Sequence, residues 1–263
     1  MPNATVKRQL RILAVTVVIA PLAYWGPHLV ETVRDLEVFA VREGEIEVRG
    51  IERLTKQTVV SRLGLGSMAS VWGDAAVWRE RVTADPLVRA VEIQRKFPNG
   101  LLVTVEERVP VAFAGTSMLE PVDAEGYQLP IDPTAPALDL PIISSESRGP
   151  DNAGLFPEEV RTLAAELEHL NATRPGFANL ISTIRLHSKG IVAVRLHSPD
   201  VEFIMPIRTE GVRIKEGESA LGHIMQLRSG RPPAEVDLRF LDQVIVRPER
   251  SIETISTFMA GGR

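Results

Sequence analysis

The chain has 263 residues, 44% of them hydrophobic, which is enough to bury one or two domain cores. Its net charge of -4 provides no basic excess for binding nucleic acids through their phosphates. The absence of cysteine excludes disulfides, thiolate nucleophiles and cysteine-ligated zinc.

An uncharged segment lies close to the N-terminus. Residues 12–30 would form a helix about 28 Å long, which matches the hydrocarbon thickness of a bilayer. Lys7, Arg8 and Arg11 precede it, so the positive-inside rule predicts a cytoplasmic tail at residues 1–11. The predicted membrane anchor includes Ile12, Leu13, Val15, Val17, Val18, Ile19, Leu22, Tyr24 and Trp25.

Two alternatives to this anchor are a cleaved signal peptide and a buried core helix. A signal peptide has a similar charged start, but no convincing small-x-small cleavage pair follows the apolar stretch Ile12 to Ala20. A core helix is disfavoured because the segment has no polar face. The pattern therefore favours an uncleaved single span.

The next seventy or so residues predict the order strand, helix, helix, strand, strand. The first strand alternates around Ile46 and Val48, and a helix follows from an N-cap at Thr55 to Gly64. A second helix starts after Asp74 and stops at Asp85-Pro86. The last two strands, at residues 91–94 and 101–106, are joined by the turn sequence Phe97-Pro98-Asn99-Gly100. Trp72 and Trp78 are predicted to pack in the core.

The second half predicts two helices, a hairpin and a final pair of strands. The first helix runs from Pro157, at its first position, to Leu170, with Val160, Leu163, Ala164 and Leu167 as its buried stripe. A three-residue loop, Ser188-Lys189-Gly190, would set Ile184 opposite Val194 and Leu186 opposite Val192. The second helix is predicted at Glu218 to Ser229, before Gly230. The strings EVDLRF and QVIVRP predict the final strands.

Several of these strings resemble one family. The runs FAVREGEIEVRGIERLTKQTVVSRLGL and DPLVRAVEIQRKFPNGLLVTVEERVPVAF resemble the POTRA domain of the FtsQ/DivIB bacterial cell-division proteins, and LEPVDAEGYQL and VDLRF resemble the second domain of that family. The resemblance implies an α+β protein with an N-terminal single transmembrane helix at 12–30. It also implies a POTRA domain (β-α-α-β-β) at 38–108, a mixed α/β sheet-rich domain at 109–247 and a flexible tail at 248–263.

The resemblance further implies a non-catalytic divisome scaffold. Such a protein would be a single-pass type II protein of the cell inner membrane at the septum. It would bind FtsB/DivIC-like and FtsL-like division proteins and help control septal peptidoglycan synthesis. Binding is expected by strand addition at the C-terminal edge. The expected residues, with Arg239 and Phe240 at the arginine and aromatic positions of the family, are Val236, Asp237, Leu238, Arg239, Phe240, Val244, Ile245, Val246 and Arg247. A POTRA-containing membrane assembly or secretion component is the alternative.

The residue pattern gives little support to an enzymatic function. His187 and His197 are too far apart along the predicted hairpin to share a metal ion, and their neighbours indicate a solvated strand face. Four carboxylates, Glu106, Glu107, Asp123 and Glu125, are predicted to serve strand-edge charge and turn geometry. No G-x-S-x-G motif is present. We therefore expect neither catalysis nor a cofactor.

Overall fold

The computed structural model describes residues 36–115, 118–134, 138–146, 149–227 and 233–247. The chain divides between Glu107 and Arg108 into two compact units, called unit 1 and unit 2 below. Within the described ranges, no helix is both long enough and apolar enough to cross a membrane. The predicted anchor at 12–30 and the predicted tails at 1–11 and 248–263 lie outside the described residues.

Unit 1 confirms the predicted order β-α-α-β-β. Two short 3-10 turns, Glu37–Phe39 and Glu43–Glu45, precede the first strand. The main elements are β1 (Ile46–Arg49), α1 (Lys56–Leu63), α2 (Ala75–Thr83), β2 (Val88–Lys96) and β3 (Gly100–Glu107). The sheet order is β1-β3-β2, with β3 parallel to β1 and antiparallel to β2.

Local side chains set the helix ends as the sequence predicts. The Thr55 hydroxyl accepts the backbone N–H of Thr58, and the Asp74 carboxylate accepts that of Ala76, so both N-caps are confirmed. Gly64 ends α1 in the left-handed conformation with φ of 60°. These caps satisfy backbone groups that would otherwise be left without partners at the helix ends.

The core of unit 1 forms where α1 and α2 pack on one face of the sheet. Its fully buried members include Leu63 from α1 and Leu101 and Val103 from β3, and Trp78 of α2 is buried too. Each such side chain contributes about 1.5–3 kcal/mol by leaving water. Trp72, predicted to be a core residue, is instead 40% exposed because it lies in the loop before α2 and not on the helix face.

The turn between β1 and α1 is held by a single carboxylate. Glu107, at the end of β3, accepts backbone N–H groups from Glu52, Arg53 and Leu54 at 2.9 to 3.2 Å. This confirms its predicted role in turn geometry. Gly50 precedes the turn with φ of 76°, and a Cβ there would lie 2.1 Å from the Val105 carbonyl oxygen.

Unit 2 is built on an eight-stranded sheet in the order β11-β10-β9-β8-β7-β6-β4-β5. The strands are β4 (Pro110–Ala114), β5 (Glu120–Asp123), β6 (Ile142–Ser144), β7 (Ile181–Ser188), β8 (Ile191–His197), β9 (Asp200–Pro206), β10 (Glu235–Asp237) and β11 (Ile245–Arg247). The helices are α3 (Glu158–Thr173), α4 (Pro175–Ala178) and α5 (Gly211–Leu227). The mixed α/β, sheet-rich architecture is thus confirmed, although β4, β6, α4 and β9 were not individually predicted.

The core of unit 2 lies on one face of this sheet. One row of paired residues crosses five strands on that face: Ile184, Val194, Phe203, Val236 and Val246. The predicted stripe of α3 and residues Ile214 and Leu221 of α5 belong to the same apolar cluster. Because strand side chains alternate between faces, the residues beside this row point to the opposite face.

The β7–β8 hairpin shows the predicted apolar matches with a different loop. Ile184 pairs with Val194 and Leu186 with Val192, as expected. However, Ser188 pairs with Ile191, so the loop is Lys189-Gly190 and the predicted three-residue loop is wrong. A register shift between Leu186 and Ser188 absorbs the extra residue as a β-bulge and restores the apolar match.

Two helix boundaries also differ from prediction. The helix predicted from Glu218 begins seven positions earlier, at Gly211. Gly217, which weakens the helical signal, is required inside α5 because a Cβ there would lie 2.9 Å from the Phe203 ring and 3.0 Å from Leu238. Pro157 occupies the N-cap of α3 and not its first turn.

Candidate functional site

The predicted partner-binding residues lie at one end of the eight-stranded sheet. Among the described residues β11 is the outermost strand and pairs antiparallel with β10, which runs parallel to β9. A strand in that position presents backbone N–H and C=O groups on its outer side, where another extended segment can pair. The edge strand β11 therefore has the position in the sheet that strand addition requires.

The two predicted strands are shorter than expected. β10 ends at Asp237, so Leu238, Arg239 and Phe240 follow it, and Val244 precedes β11. The backbone N–H of Arg239 bonds to the Asp237 carboxylate at 3.1 Å, which turns the chain out of the ladder. Only Val236, Asp237, Ile245, Val246 and Arg247 of the predicted set are in strands.

Burial divides the predicted residues into two groups. Val236, Asp237 and Leu238 are buried, so a partner cannot reach their side chains. Phe240 and Arg247 are exposed, whereas Arg239, Val244, Ile245 and Val246 are half-buried. Val246 faces the core with Val236, while Ile245 and Arg247 lie on the opposite face with Asp237.

Asp237 is the electrostatic centre of this edge. Its carboxylate accepts hydrogen bonds from Nε and Nη2 of Arg239, at 2.9 and 2.6 Å, and from Nη2 of Arg247 at 3.1 Å. The Arg239 guanidinium is the main reason that the pKa of Asp237 lies below its usual range. Arg247 also pairs with Glu235, so the ion pairs join β10, β11 and the segment after β10.

The segment between β10 and β11 is fastened to α5. Arg213 donates from Nη2 to the carbonyl oxygens of Phe240 and Gln243. Between these two attachment points Leu241 is 97% exposed. The result is a fixed loop whose apolar tip, Phe240 and Leu241, stands beside the sheet edge.

Comparison with known proteins adds independent information. The model of the family described as "POTRA domain, FtsQ-type" matches residues 42–108. Three relatives, each described as "Cell division protein FtsQ", align over most of both chains. The protein from Rhodothermus marinus is 29% identical over 84% of this chain and 82% of its own length. The protein from Myxococcus fulvus is 25% identical over 74% and 69%, and that from Geobacter sp. is 24% identical over 77% and 74%.

These matches are all to the FtsQ/DivIB family of cell-division proteins. A solved structure, the major extracytoplasmic domain of the cell division protein DivIB from Geobacillus stearothermophilus, aligns with 46% of this chain and 97% of its own, at 16% identity and a TM-score of 0.30.

The histidines and carboxylates that the sequence analysis considered for catalysis or metal binding have structural surroundings. His197 bonds through Nδ1 to the Leu180 carbonyl at 2.9 Å, and His187 is exposed. His169, expected on the polar side of its helix, is half-buried and bonds to the Thr209 carbonyl at 3.2 Å. Asp123 accepts the Tyr127 N–H at 2.7 Å, a turn contact as predicted. Within the described ranges, no three His, Cys, Asp or Glu side chains cluster as metal ligands would.

One buried carboxylate was not singled out by sequence reasoning. Glu166 of α3 is 1% exposed and accepts the backbone N–H of Arg208 at 2.9 Å, where Arg208 has φ of 63°. Burial raises the pKa of this carboxyl above its usual value. Because the group is enclosed in the core, it braces the turn between β9 and α5 and is out of reach of any substrate.

Sequence reasoning also missed Arg213 and Leu241. Arg213 bonds to residues about thirty positions away, and only tertiary packing brings them together. The sequence does contain an indication for Leu241, because a leucine that follows Phe240 within a polar turn is not in the usual position of a core residue. Its exposure places the tip of the loop between β10 and β11 at the surface.

Proposed function

We propose that this protein is a non-catalytic scaffold of the bacterial cell-division machinery, with a membrane anchor at residues 12–30. Similarity to the FtsQ/DivIB cell-division proteins supports the division role. The proposed organisation is a cytoplasmic tail at 1–11, a POTRA domain at 38–108, a sheet domain at 109–247 and a C-terminal tail at 248–263. The protein would act on the outer side of the inner membrane at the septum.

The proposed partners are FtsB/DivIC-like and FtsL-like single-pass proteins, and the proposed contact is strand addition on β11. The observation that carries this proposal is the edge position of β11. Two features favour an ordered edge: the Asp237 ion pairs hold β10 and β11, and Arg213 fixes the loop between them. An edge fixed in advance lowers the ordering cost that a partner strand must overcome.

The exposed loop tip would supplement these backbone contacts. Phe240 and Leu241 offer apolar surface next to β11, while Arg239 and Arg247 retain charge at the rim. Apolar and aromatic side chains near the centre of an interface, with charge at its rim, are typical of protein–protein contacts. Through such contacts the scaffold would help to control septal peptidoglycan synthesis.

The test is site-specific photocrosslinking of the full chain in dividing cells. Photoreactive residues at Ile245 and Arg247 should give adducts with small single-pass division proteins. A matched probe at Glu120, in β5 at the opposite edge of the same sheet, should give none. Equal adducts from both edges, or adducts only from Glu120, would move the binding site away from β11.

A second experiment addresses the backbone. Val244→Pro removes an N–H group directly before β11, and co-purification of the small division proteins with the full chain should fall sharply. Leu241→Ser, which leaves the backbone donors intact, should weaken the contact less. Unchanged co-purification of both variants would refute strand addition, and capture of no division protein by the wild type would refute the functional proposal itself.

A further inference from the structure

Unit 1 carries a group of largely exposed apolar side chains, of which only Phe39 also packs against the core of the unit. We call it the aromatic patch, and it consists of Leu36, Val38, Phe39, Met68, Trp72 and Phe97. The Phe39 and Trp72 rings meet edge to face with centroids 6.1 Å apart, and Trp72 and Phe97 are 4.7 Å apart. Met68 is 65% exposed, Phe97 57% and Val38 54%. Single exposed apolar residues are ordinary, but a cluster of this kind marks an interaction surface.

Backbone hydrogen bonds hold the three segments of the patch together. The N–H of Val41 bonds to the Ala69 carbonyl at 2.8 Å, and that of Val71 bonds to the Phe39 carbonyl at 2.7 Å. A further bond joins the Arg42 N–H to Asn99, next to Phe97 in the β2–β3 turn. Backbone hydrogen bonds therefore hold the patch in a defined arrangement, at the end of unit 1 where the described chain begins.

The position of the patch in the chain identifies its occupant. The uncharged segment 12–30 ends six residues before Leu36, and six fully extended residues span at most about 20 Å. If residues 12–30 cross the bilayer, the patch cannot lie far from the membrane surface. Tryptophan favours the interfacial layer between hydrocarbon and water, and tryptophan, phenylalanine and leucine form the apolar faces of segments that lie in that layer.

The charges around the patch indicate what kind of membrane contact this is. Glu37 and Glu43 lie in the first segment, together with Arg42, and Lys96 at the end of β2 pairs with Glu47. These charges are of mixed sign, unlike the basic clusters that bind anionic lipid headgroups. The contact should therefore depend on apolar burial and be insensitive to salt.

We propose that the aromatic patch rests on the interfacial layer of the bilayer that holds the anchor, and so fixes the tilt of unit 1 against the membrane. This inference depends on the proposed anchor at residues 12–30, not on the proposed partners at β11. It assigns the patch a lipid partner, a neutral phospholipid surface, and explains why aromatic residues are exposed at this end of unit 1.

The test uses the full chain reconstituted in phosphatidylcholine and phosphatidylethanolamine vesicles. Because the chain has no cysteine, Met68→Cys provides a single site for an environment-sensitive NBD dye. The control probe is Lys56→Cys, at the start of α1. Lys56 is exposed and lies toward the opposite end of the sheet from the Phe97 turn. Nine-residue β2 alone spans about 30 Å between these ends.

The dye at position 68 should emit several-fold more strongly and at shorter wavelength than the dye at position 56. Nitroxide-labelled lipids should quench it, and aqueous iodide should not. Adding Phe97→Ser to the Met68→Cys chain should reverse both results, and Val38→Ser serves the same purpose if that variant does not fold. Iodide quenching at position 68 equal to that at position 56 would overturn the proposal.

Flotation of the same vesicles in a density gradient separates the possible failures. A chain that floats but keeps its position 68 dye in water refutes the lipid contact and leaves the anchor standing. A chain that does not float refutes the anchor and the lipid contact together. Photocrosslinking at β11 is independent of both results, so the division role is judged separately.

Discussion

Replacing Asp237 by Asn should loosen the β10–β11 edge. The buried carboxylate accepts three hydrogen bonds from the side chains of Arg239 and Arg247. Asparagine keeps the shape and one acceptor but removes the charge. A hydrogen bond to a charged group contributes about 1.5–3 kcal/mol, and breaking a buried pair costs about 3–5 kcal/mol. Because both guanidinium groups are partly exposed, we expect a loss of about 2–3 kcal/mol in the local free energy of opening.

The assay must report on unit 2 directly. Trp72 and Trp78 belong to unit 1, so tryptophan emission serves only as a check that unit 1 is unchanged. Amide hydrogen exchange of peptides covering β9 and β10 should become about 30- to 150-fold faster at neutral pH, since each 1.4 kcal/mol is a factor of ten. Asp200→Asn is the matched control, because Asp200 makes a similar two-bond pair with Arg195 at the exposed surface.

The pH dependence follows from the lowered pKa of Asp237. A depressed folded-state pKa contributes stability that is present above the unfolded value, about 3.9, and is lost as pH falls through the folded value. The difference between wild type and Asp237→Asn should therefore be constant near neutrality and shrink in acid. An equal effect of Asp200→Asn, or a difference that persists unchanged in acid, would refute the reasoning.

Three further predictions concern single carboxylates and one glycine. Glu107→Ala should lower the stability of unit 1, followed by tryptophan emission in urea, by about 2 kcal/mol because three backbone N–H groups lose their acceptor, whereas Glu106→Ala should have little effect. Gly50→Ala should lower the stability of unit 1 by more than Glu107→Ala does, because the added Cβ collides with a backbone oxygen. Gly44→Ala should not lower it, because no atom lies within 4 Å of the added Cβ. Glu166→Gln should make unit 2 more stable at neutral pH, as measured by hydrogen exchange. Because the pKa of Glu166 is raised in the folded state, wild-type stability falls as the pH rises from the unfolded-state pKa toward the folded-state pKa. Glutamine does not titrate, so the variant should lack this pH dependence. A wild-type slope retained in Glu166→Gln would contradict this assignment.

Local patterns were sufficient where the cause of a structure is local. The caps at Thr55 and Asp74 and the left-handed end at Gly64 depend on a few neighbouring residues, so the sequence predicted both helices of unit 1. The alternation of apolar and polar residues likewise predicted strands β1 and β3. In unit 2 the apolar stripe of α3 was predicted for the same reason, because a helix repeats its buried face every three to four residues.

Sequence patterns failed to predict the structure where the conformation of a residue depends on packing against a residue distant in the sequence. β9 was missed because Ile204 is buried on the face opposite Phe203, which erases the alternation of a half-buried strand. The start of α5 was missed because Gly217 makes room for Phe203 and Leu238. The hairpin loop was wrong because a bulge can restore an apolar match that loop length alone would break.

The sequence by itself determined the family resemblance, the order of elements in unit 1 and the chemical character of the C-terminal strands. Tertiary structure alone decided that β11 is the outermost strand among the described residues, that Asp237 is buried between two arginines, and that Trp72 joins an exposed aromatic patch. The physical reason is that periodicity records which face of an element is apolar, whereas edges, ion pairs and patches depend on which distant segments meet.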